Sequence, residues 1–170
     1  MRSLAVVALV GALSAPAAAR AQAWDAAKGV VGKATTGALE REINRRLLAE
    51  SRRNQCSFIT DSDRLAPGCD AKIRRLANAL IGAKKRINGA GIKNFKFVVS
   101  GHTDSRGSAA HNKELSAKRA AVIERELIRK GIPKDDIESV GMGSERRLVK
   151  PDDTPAKQAK NRRYELQVRL

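Results

Sequence analysis

The order in which helix and strand patterns follow one another is the feature that most constrains the fold of this chain. Residues 70–88 carry apolar side chains at helical spacing, whereas residues 164–170 alternate apolar and polar side chains as half-buried strands do. Helices are predicted over 70–88 and 109–130, and strands over 56–60, 95–101, 137–143 and 164–170. This order favours an α/β (α+β) two-layer sandwich, with the helices packed on one face of a small sheet.

The first residues have the pattern of an export signal. Arg2 precedes an apolar run over residues 4–13, and Ala21-Gln22-Ala23 fits the small-residue pattern of a cleavage site. The run is too short to span a bilayer as a helix. We therefore expect residues 1–23 to be a signal peptide on an exported protein, with an uncleaved anchor or an ordinary buried helix as the alternative.

Residues 24–54 are predicted to form a basic amphipathic helical tether before a domain of residues 55–170. Leu39, Ile43 and Leu47 recur at helical spacing among arginine and glutamate side chains. A helix of this kind can act as a tether or pack on its own domain, but it can also form a dimer contact or adhere to anionic lipid. We favour a tether or packing, although the sequence alone does not choose between these roles.

The balance of charge is strongly basic. The chain has 34 Lys and Arg against 18 Asp and Glu, a formal net charge of +16, and its aromatic content is only 3%. The basic residues are spread along the chain, and aromatic side chains that could stack on bases are scarce, so nucleic-acid binding is disfavoured. Attraction to anionic cell-wall and lipid surfaces is the expected consequence of the charge.

Two cysteines, Cys56 and Cys69, favour one disulfide in an exported chain, with two buried thiols as the alternative. A zinc site would have to recruit His102 and His111, whose spacing fits no familiar zinc motif. We expect no metal and no cofactor.

The segment 101–120 has the composition of a binding site. Asp104 follows a predicted strand, and Asn112, Ser116 and Arg119 share one stripe of the following helix. A carboxylate and a guanidinium that face one cleft can bind a zwitterion, because Asp104 can bind an ammonium group and Arg119 can bind a carboxylate through two parallel hydrogen bonds. A salt bridge between Asp104 and Arg119 is the simpler alternative.

The same segment resembles the core motif of the OmpA-like domain family, which includes the OmpA C-terminal domain, MotB and the peptidoglycan-associated lipoprotein. The matching positions are Gly101, His102, Thr103, Asp104, Gly107, Ser108, Asn112, Leu115, Ser116, Arg119 and Ala120. Gly141-Met142-Gly143 and Asn161-Arg162-Arg163 resemble later features of the family, so the resemblance covers about residues 55–170. It implies a βαβαβ(loop)β domain with a small mixed sheet.

The resemblance also implies non-covalent binding of peptidoglycan in the periplasm, in association with the cell wall and at the inner face of the outer membrane. Family members hold the diaminopimelate of the stem peptide with residues that match Asp104 and Arg119 here. Asn112 and Arg162 match neighbouring positions that line the cleft. Thr103 matches a position that either contacts the ligand or holds the local backbone.

Two segments depart from the family pattern. After the first strand, family members often have a Phe-Asp pair followed by an acidic or polar contact residue, but this chain reads Phe58-Ile59-Thr60-Asp61. After the third strand, family members often have a proline, but this chain reads Ser144-Glu145-Arg146-Arg147-Leu148. The polar ligand contact after the first strand and the conformation of the 144–160 loop therefore stay open.

Two other functions compete with wall binding. Serine, histidine and aspartate side chains crowd residues 100–108, but neighbours at a strand end point in different directions, and the chain has no G-x-S-x-G turn. We therefore expect no enzymatic activity. A periplasmic interaction or dimerisation module that uses the basic helix, with an envelope protein or a second copy as partner, stays open beside wall binding.

Overall fold

The computed structural model describes residues 17–59 and 62–170. In chain order, the elements are α1 (Ala17–Arg53), α2 (Asp70–Gly89), β1 (Lys96–His102), α3 (Ala109–Arg129), β2 (Ile137–Gly141), α4 (Pro155–Asn161) and β3 (Arg163–Arg169). The chain divides after Ala38, and the unit Leu39–Leu170 contains β1, β2 and β3. Residues 1–16 of the predicted signal peptide lie outside the described residues, and its last residues belong to α1.

β1 is the central strand of a mixed sheet with the order β2-β1-β3. It pairs with β2 in parallel and with β3 antiparallel, with Val99 opposite both Ser139 and Leu166. The parallel pair needs a long crossover, and α3 supplies it. The predicted α+β architecture with a small mixed sheet is confirmed.

The hydrophobic core lies between the helices and the sheet. The apolar positions predicted for the two helices are buried in one cluster with the inward side chains of β1 and β3. The helix residues of this cluster include Ile73, Leu76, Ala77, Leu80, Ile87, Ala120, Ile123 and Leu127. Aliphatic side chains dominate this core because the chain has few aromatic residues.

Two glycines let α3 lie directly on the sheet. A Cβ atom at Gly101 would lie 2.2 Å from the carbonyl oxygen of Ser116. One at Gly141 would lie 2.5 Å from the backbone nitrogen of Ala117. Any side chain at these positions would push the helix away, so the glycines hold α3 against the carboxyl ends of β1 and β2.

The second half of α1 belongs to the compact unit. Ile43 and Leu47, each 2% exposed, pack in the same core as α2 and the sheet. The compact unit therefore begins well before residue 55, where the sequence placed the domain boundary. The apolar stripe offered for a dimer or lipid contact faces the core of its own chain. Within the described part of the chain, no helix is both long and apolar enough to cross a bilayer.

The outer edge of β3 is covered by polar side chains of α1 and by Gln55, which lies two residues after α1. The Asn44 amide pairs with both the N–H and the C=O of Val168, at 2.6 and 3.0 Å. Ser51 Oγ accepts the N–H of Leu166 at 2.9 Å. The side chain of Gln55 completes the edge by pairing with the N–H and C=O of Tyr164, at 3.1 and 2.8 Å. These contacts satisfy backbone groups that an edge strand otherwise leaves open.

The strand predicted over 56–60 is replaced by an isolated bridge between Phe58 and Leu65. The physical reason lies in the sheet: Asn44, Ser51 and Gln55 occupy the edge of β3 where another strand could pair.

The cysteine prediction is also corrected. Cys56 and Cys69 are free, buried thiols, and Cys56 Sγ lies 3.8 Å from the carbonyl oxygen of Cys69. Burial, together with the neighbouring Cys69, raises the pKa of Cys56 to about 12, which keeps its thiol protonated.

The start of α2 agrees with the sequence prediction, whereas α4 was not predicted. The helix α2 begins at Asp70, as predicted, and the Asp70 carboxylate pairs with Arg74 at 2.7 Å. The helix α4 was predicted as loop, although Thr154 caps it and Pro155 occupies its first turn.

Candidate functional site

A cleft of about 930 Å³ opens at the end of β1. The structure places every residue predicted for ligand binding in its lining. These residues are Thr103, Asp104, Asn112, Arg119 and Arg162. They come from the loop after β1, from α3 and from the turn between α4 and β3, so the fold brings together side chains that are up to 59 positions apart in the chain.

The loop that carries Asp104 is held by the first turns of α3. Asn112, only 3% exposed, donates from Nδ2 to the carbonyl oxygen of Arg106 at 2.8 Å. Ser108 caps the helix by accepting the N–H of His111 at 3.2 Å. Asn112 therefore supports the loop through its side chain, and this loop places Asp104 in the lining of the cleft.

Ser116 joins the same helix to the turn after β2. Its Oγ donates to the carbonyl oxygen of Lys113 at 2.9 Å and accepts the N–H of Gly143 at 2.9 Å. The N–H of Thr103 in turn donates to the carbonyl oxygen of Gly143 at 2.9 Å. The Ser116 side chain therefore holds the backbone of α3 and of the turn after β2 together.

Asp104 is paired with two arginines. Its carboxylate accepts Arg162 Nη1 at 2.7 Å, Arg106 Nη2 at 3.3 Å and the backbone N–H of Arg106 at 3.1 Å. Burial alone would raise the pKa of Asp104, but the hydrogen bonds from Arg162 and Arg106 outweigh it and hold that pKa below its usual value. Asp104 is therefore an ionised, 6% exposed carboxylate at neutral pH.

Arg119 is held by the segment that departs from the family pattern. Its Nε donates to the carbonyl oxygen of Ser62 at 3.1 Å, and its guanidinium lies 5.0 Å from the centre of the Phe58 ring. The ring face attracts the cation and keeps it against the cleft wall. Sequence reasoning did not assign Phe58 this role, because the two residues are distant in the chain.

Asp152 and Asn161 form a second support that the sequence did not reveal. Asp152, 5% exposed, accepts the N–H of Ser105 at 2.9 Å, Asn161 Nδ2 at 2.9 Å and Arg147 Nη1 at 3.0 Å. These hydrogen bonds, of which the one from Ser105 has the largest effect, hold the pKa of Asp152 far below its usual value, although burial raises it. Asn161 also accepts the N–H groups of Leu148 and Val149, which fixes the segment between β2 and α4.

Two buried polar side chains line the cleft without a hydrogen-bond partner among the described residues. They are His102, at both ring nitrogens, and Thr103, at Oγ1. Burial, with Arg163 and Arg146, lowers the pKa of His102 to about 4 despite the nearby Glu165. His102 is therefore neutral at pH 7 and offers one donor and one acceptor.

Cations dominate the described lining of the cleft. They are Arg52, Arg106, Arg119, Lys160, Arg162 and Arg163, against the single carboxylate of Asp104. Over residues 17–59 and 62–170, no cluster of three His, Cys, Asp or Glu side chains has the arrangement of a metal site.

A two-layer α+β domain with a charged cleft at the end of its central strand defines the structural class. Residues 57–162 match the model of the OmpA family, and the chain belongs to that family.

Several known proteins resemble parts of this chain. The peptidoglycan-binding protein ArfA of Mycobacterium tuberculosis is 38% identical over 73 residues, which are 43% of this chain and 22% of that protein. The peptidoglycan-associated lipoprotein of Pseudomonas aeruginosa is 32% identical over 109 residues, 64% of this chain and 58% of the lipoprotein. The chain thus spans about a fifth of one relative and under two thirds of the other.

Solved structures give the same fold. The peptidoglycan-associated lipoprotein from Burkholderia pseudomallei superimposes with a TM-score of 0.55 at 25% identity, covering 68% of this chain and 89% of that one. The periplasmic domain of Helicobacter pylori MotB gives 0.54 at 24% identity, covering 66% and 69%.

Proposed function

We propose that this protein is an exported, non-catalytic module that binds peptidoglycan by holding the diaminopimelate of the stem peptide between Asp104 and Arg119. The observation that carries the proposal is the pairing of an ionised, nearly buried carboxylate with a guanidinium across one cleft. Relatives named for peptidoglycan binding and association support the same ligand. The proposed location is the periplasm, against the wall and at the inner face of the outer membrane.

The Asp104 carboxylate has room for a ligand ammonium. An ionised carboxylate accepts about four hydrogen bonds. Three contacts come from Arg162 and Arg106, and the longest, 3.3 Å, is to the Arg106 side chain, which is 67% exposed. An ammonium takes the open position, and the exposed Arg106 side chain moves aside at little cost. Arg162 keeps Asp104 ionised in both states.

Arg119 supplies the anion-binding half of the pair. Its Nε is committed to Ser62, and Phe58 fixes the plane of the guanidinium. The two Nη atoms carry the other four N–H donors, whose planar arrangement matches the two oxygens of a carboxylate, and a ligand carboxylate replaces or joins the contacts that Arg119 makes in the free protein. The two halves together select a group that carries both charges, and neither half alone needs to bind strongly.

The described geometry gives no support for bond cleavage. His102 makes no hydrogen bond to a described hydroxyl group, and the proposal therefore assigns it no part in activating a nucleophile. Purified protein incubated with cell wall is expected to release no soluble muropeptides. Binding through partly solvated ion pairs is weak, on the order of micromolar to millimolar, and a polymeric wall compensates by offering many sites.

Co-sedimentation with purified diaminopimelate-type cell wall at near-physiological salt tests the proposal. Asp104→Asn removes the ammonium site without changing size, and Glu138→Gln removes one negative charge from β2, outside the cleft lining. Both variants become more positive, so non-specific attraction predicts that both bind at least as well as the parent protein. The proposal predicts that only Asp104→Asn loses binding, and an Asp104→Asn protein that binds fully overturns it.

Arg119→Gln has its own control. Arg125→Gln removes the same charge from an exposed position of α3. The proposal predicts loss of wall binding in Arg119→Gln and near-normal binding in Arg125→Gln. Equal losses in the two variants would indicate general electrostatic adhesion. Thermal unfolding of each variant ensures that folded proteins are compared.

A further inference from the structure

The cleft carries more positive charge than a single zwitterion requires. Six described lining residues are cations and one is a carboxylate. The zwitterionic end of diaminopimelate uses Asp104 and Arg119, which leaves an excess of cations in the same cavity. Such an excess raises the local concentration of further anionic groups.

Two of the remaining cationic side chains form no ion pair with a described acidic side chain. Arg162 is paired with Asp104, and Arg163 with Glu165. Arg52, near the end of α1, and Lys160, in α4, line the cleft but form no ion pair with any residue that the structure describes. Both are exposed, so they can reach a ligand without first breaking an internal pair.

The size of the cleft and its neutral polar groups point to a ligand longer than one amino acid. Its volume of about 930 Å³ lies at the upper end of the roughly 300–1,000 Å³ typical of ligand cavities. The hydroxyl of Thr103 and the ring nitrogens of His102 are buried in its wall without partners among the described residues. A small local movement of the wall would expose these groups to the peptide N–H and C=O groups that flank the zwitterion.

We infer that Arg52 and Lys160 bind a second carboxylate of the stem peptide, so that the cleft prefers stems with free carboxylates over amidated stems. This inference rests on the proposed function, because Asp104 and Arg119 must hold the diaminopimelate before its neighbours reach the two cations. Amidation keeps the size of the group and removes its charge, so it removes the ion pairs while leaving the zwitterion intact.

Calorimetric titration with three soluble tripeptides, L-alanyl-γ-D-glutamyl-diaminopimelate, tests the inference at near-physiological salt. One peptide has all carboxyl groups free, one has the glutamyl α-carboxyl amidated, and one has the C-terminal carboxyl amidated. Loss of one charge-assisted contact predicts binding about tenfold weaker for one of the amides. Arg52→Gln combined with Lys160→Gln is expected to bind acid and amide within about twofold of each other.

The matched control is Lys85→Gln combined with Lys93→Gln, which removes the same charge from exposed sites outside the cleft lining and should keep the preference. Equal affinity of the parent protein for all three peptides, or a preference that survives Arg52→Gln with Lys160→Gln, overturns the inference. Asp104→Asn separates the two levels. If it abolishes binding of all peptides while the parent shows no preference, the proposed function stands and the inference fails, whereas unchanged binding in Asp104→Asn contradicts both.

Discussion

The carboxylate of Asp152 accepts the backbone N–H of Ser105 at 2.9 Å and thereby ties the segment between β2 and α4 to the loop that carries Asp104. Ser105 directly follows Asp104, so this bond sets the position of the Asp104 backbone from outside the cleft. Asp152 is not in the cleft lining, so we expect it to affect binding only by positioning Asp104.

Replacing Asp152 tests this positioning role. Asp152→Ala leaves the N–H of Ser105 and the amide of Asn161 without their acceptor, so we expect a lower melting temperature and wall binding weaker by about tenfold or more. Asp152→Asn keeps one side-chain oxygen and should recover part of both. The measurements are thermal unfolding and co-sedimentation. Full wall binding by a folded Asp152→Ala protein would show that the loop does not need this support.

The covered edge of β3 gives a prediction about stability. Ser51→Ala leaves the N–H of Leu166 buried without its acceptor, which should lower the free energy of unfolding by about 1–3 kcal/mol. Ser57, exposed and outside this edge, provides Ser57→Ala as the control, with an expected change within about 0.5 kcal/mol. Urea denaturation measures both. Equal changes in the two variants would mean that Ser51 does not protect the edge.

The unpartnered hydroxyl of Thr103 gives a prediction in which stability and binding separate. Thr103→Val replaces the hydroxyl by a methyl group of similar size, and the hydroxyl bonds no described residue. The free energy of unfolding should therefore change by less than about 1 kcal/mol, or rise. Binding of the free tripeptide should nevertheless weaken, because a ligand partner is lost. Unchanged affinity in calorimetry would assign Thr103 no ligand contact.

His102 makes stability depend on pH. Its pKa is about 4 in the folded protein, against an ordinary value of about 6.5, so the unfolded chain binds the proton more tightly. The stabilising contribution is complete above pH 6.5 and is lost as the pH falls towards 4. His102→Gln should therefore show a smaller loss of stability than the parent between these values. Urea denaturation at several pH values measures the slopes, with exposed His111→Gln as the control, and identical slopes in His102→Gln and the parent would contradict the assignment.

Part of the candidate site could be predicted from the sequence because three of its residues are close together in the chain, whereas Arg162 was assigned only by the family resemblance. Asp104 follows a strand, and Asn112 and Arg119 share one stripe of the next helix, so their spacing predicts one shared cleft, while the resemblance supplied the expectation of ligand binding. The hydroxyl of Thr103 bonds no described residue, and whether it contacts a ligand stays a prediction that the Thr103→Val variant tests.

The supports of the site could not be predicted in the same way. Asp152 lies in a loop, where a buried acceptor looks the same in sequence as a solvated acid. The same ambiguity explains the error at residues 56–60, since Asn44 and Ser51 occupy helix positions that look like ordinary polar surface. Only the folded chain shows that they satisfy the edge of β3.

The most direct test of the central claim is competition for wall binding by three small molecules at equal concentration and ionic strength. Diaminopimelate has the paired ammonium and carboxylate, pimelate has only the carboxylates, and 1,5-diaminopentane has only the ammonium groups. Because Asp104 and Arg119 must act on one group, we predict that diaminopimelate releases the protein from purified wall and that the other two do not. Equal release by all three compounds, or no release by diaminopimelate, would contradict the claim that the cleft holds a zwitterion.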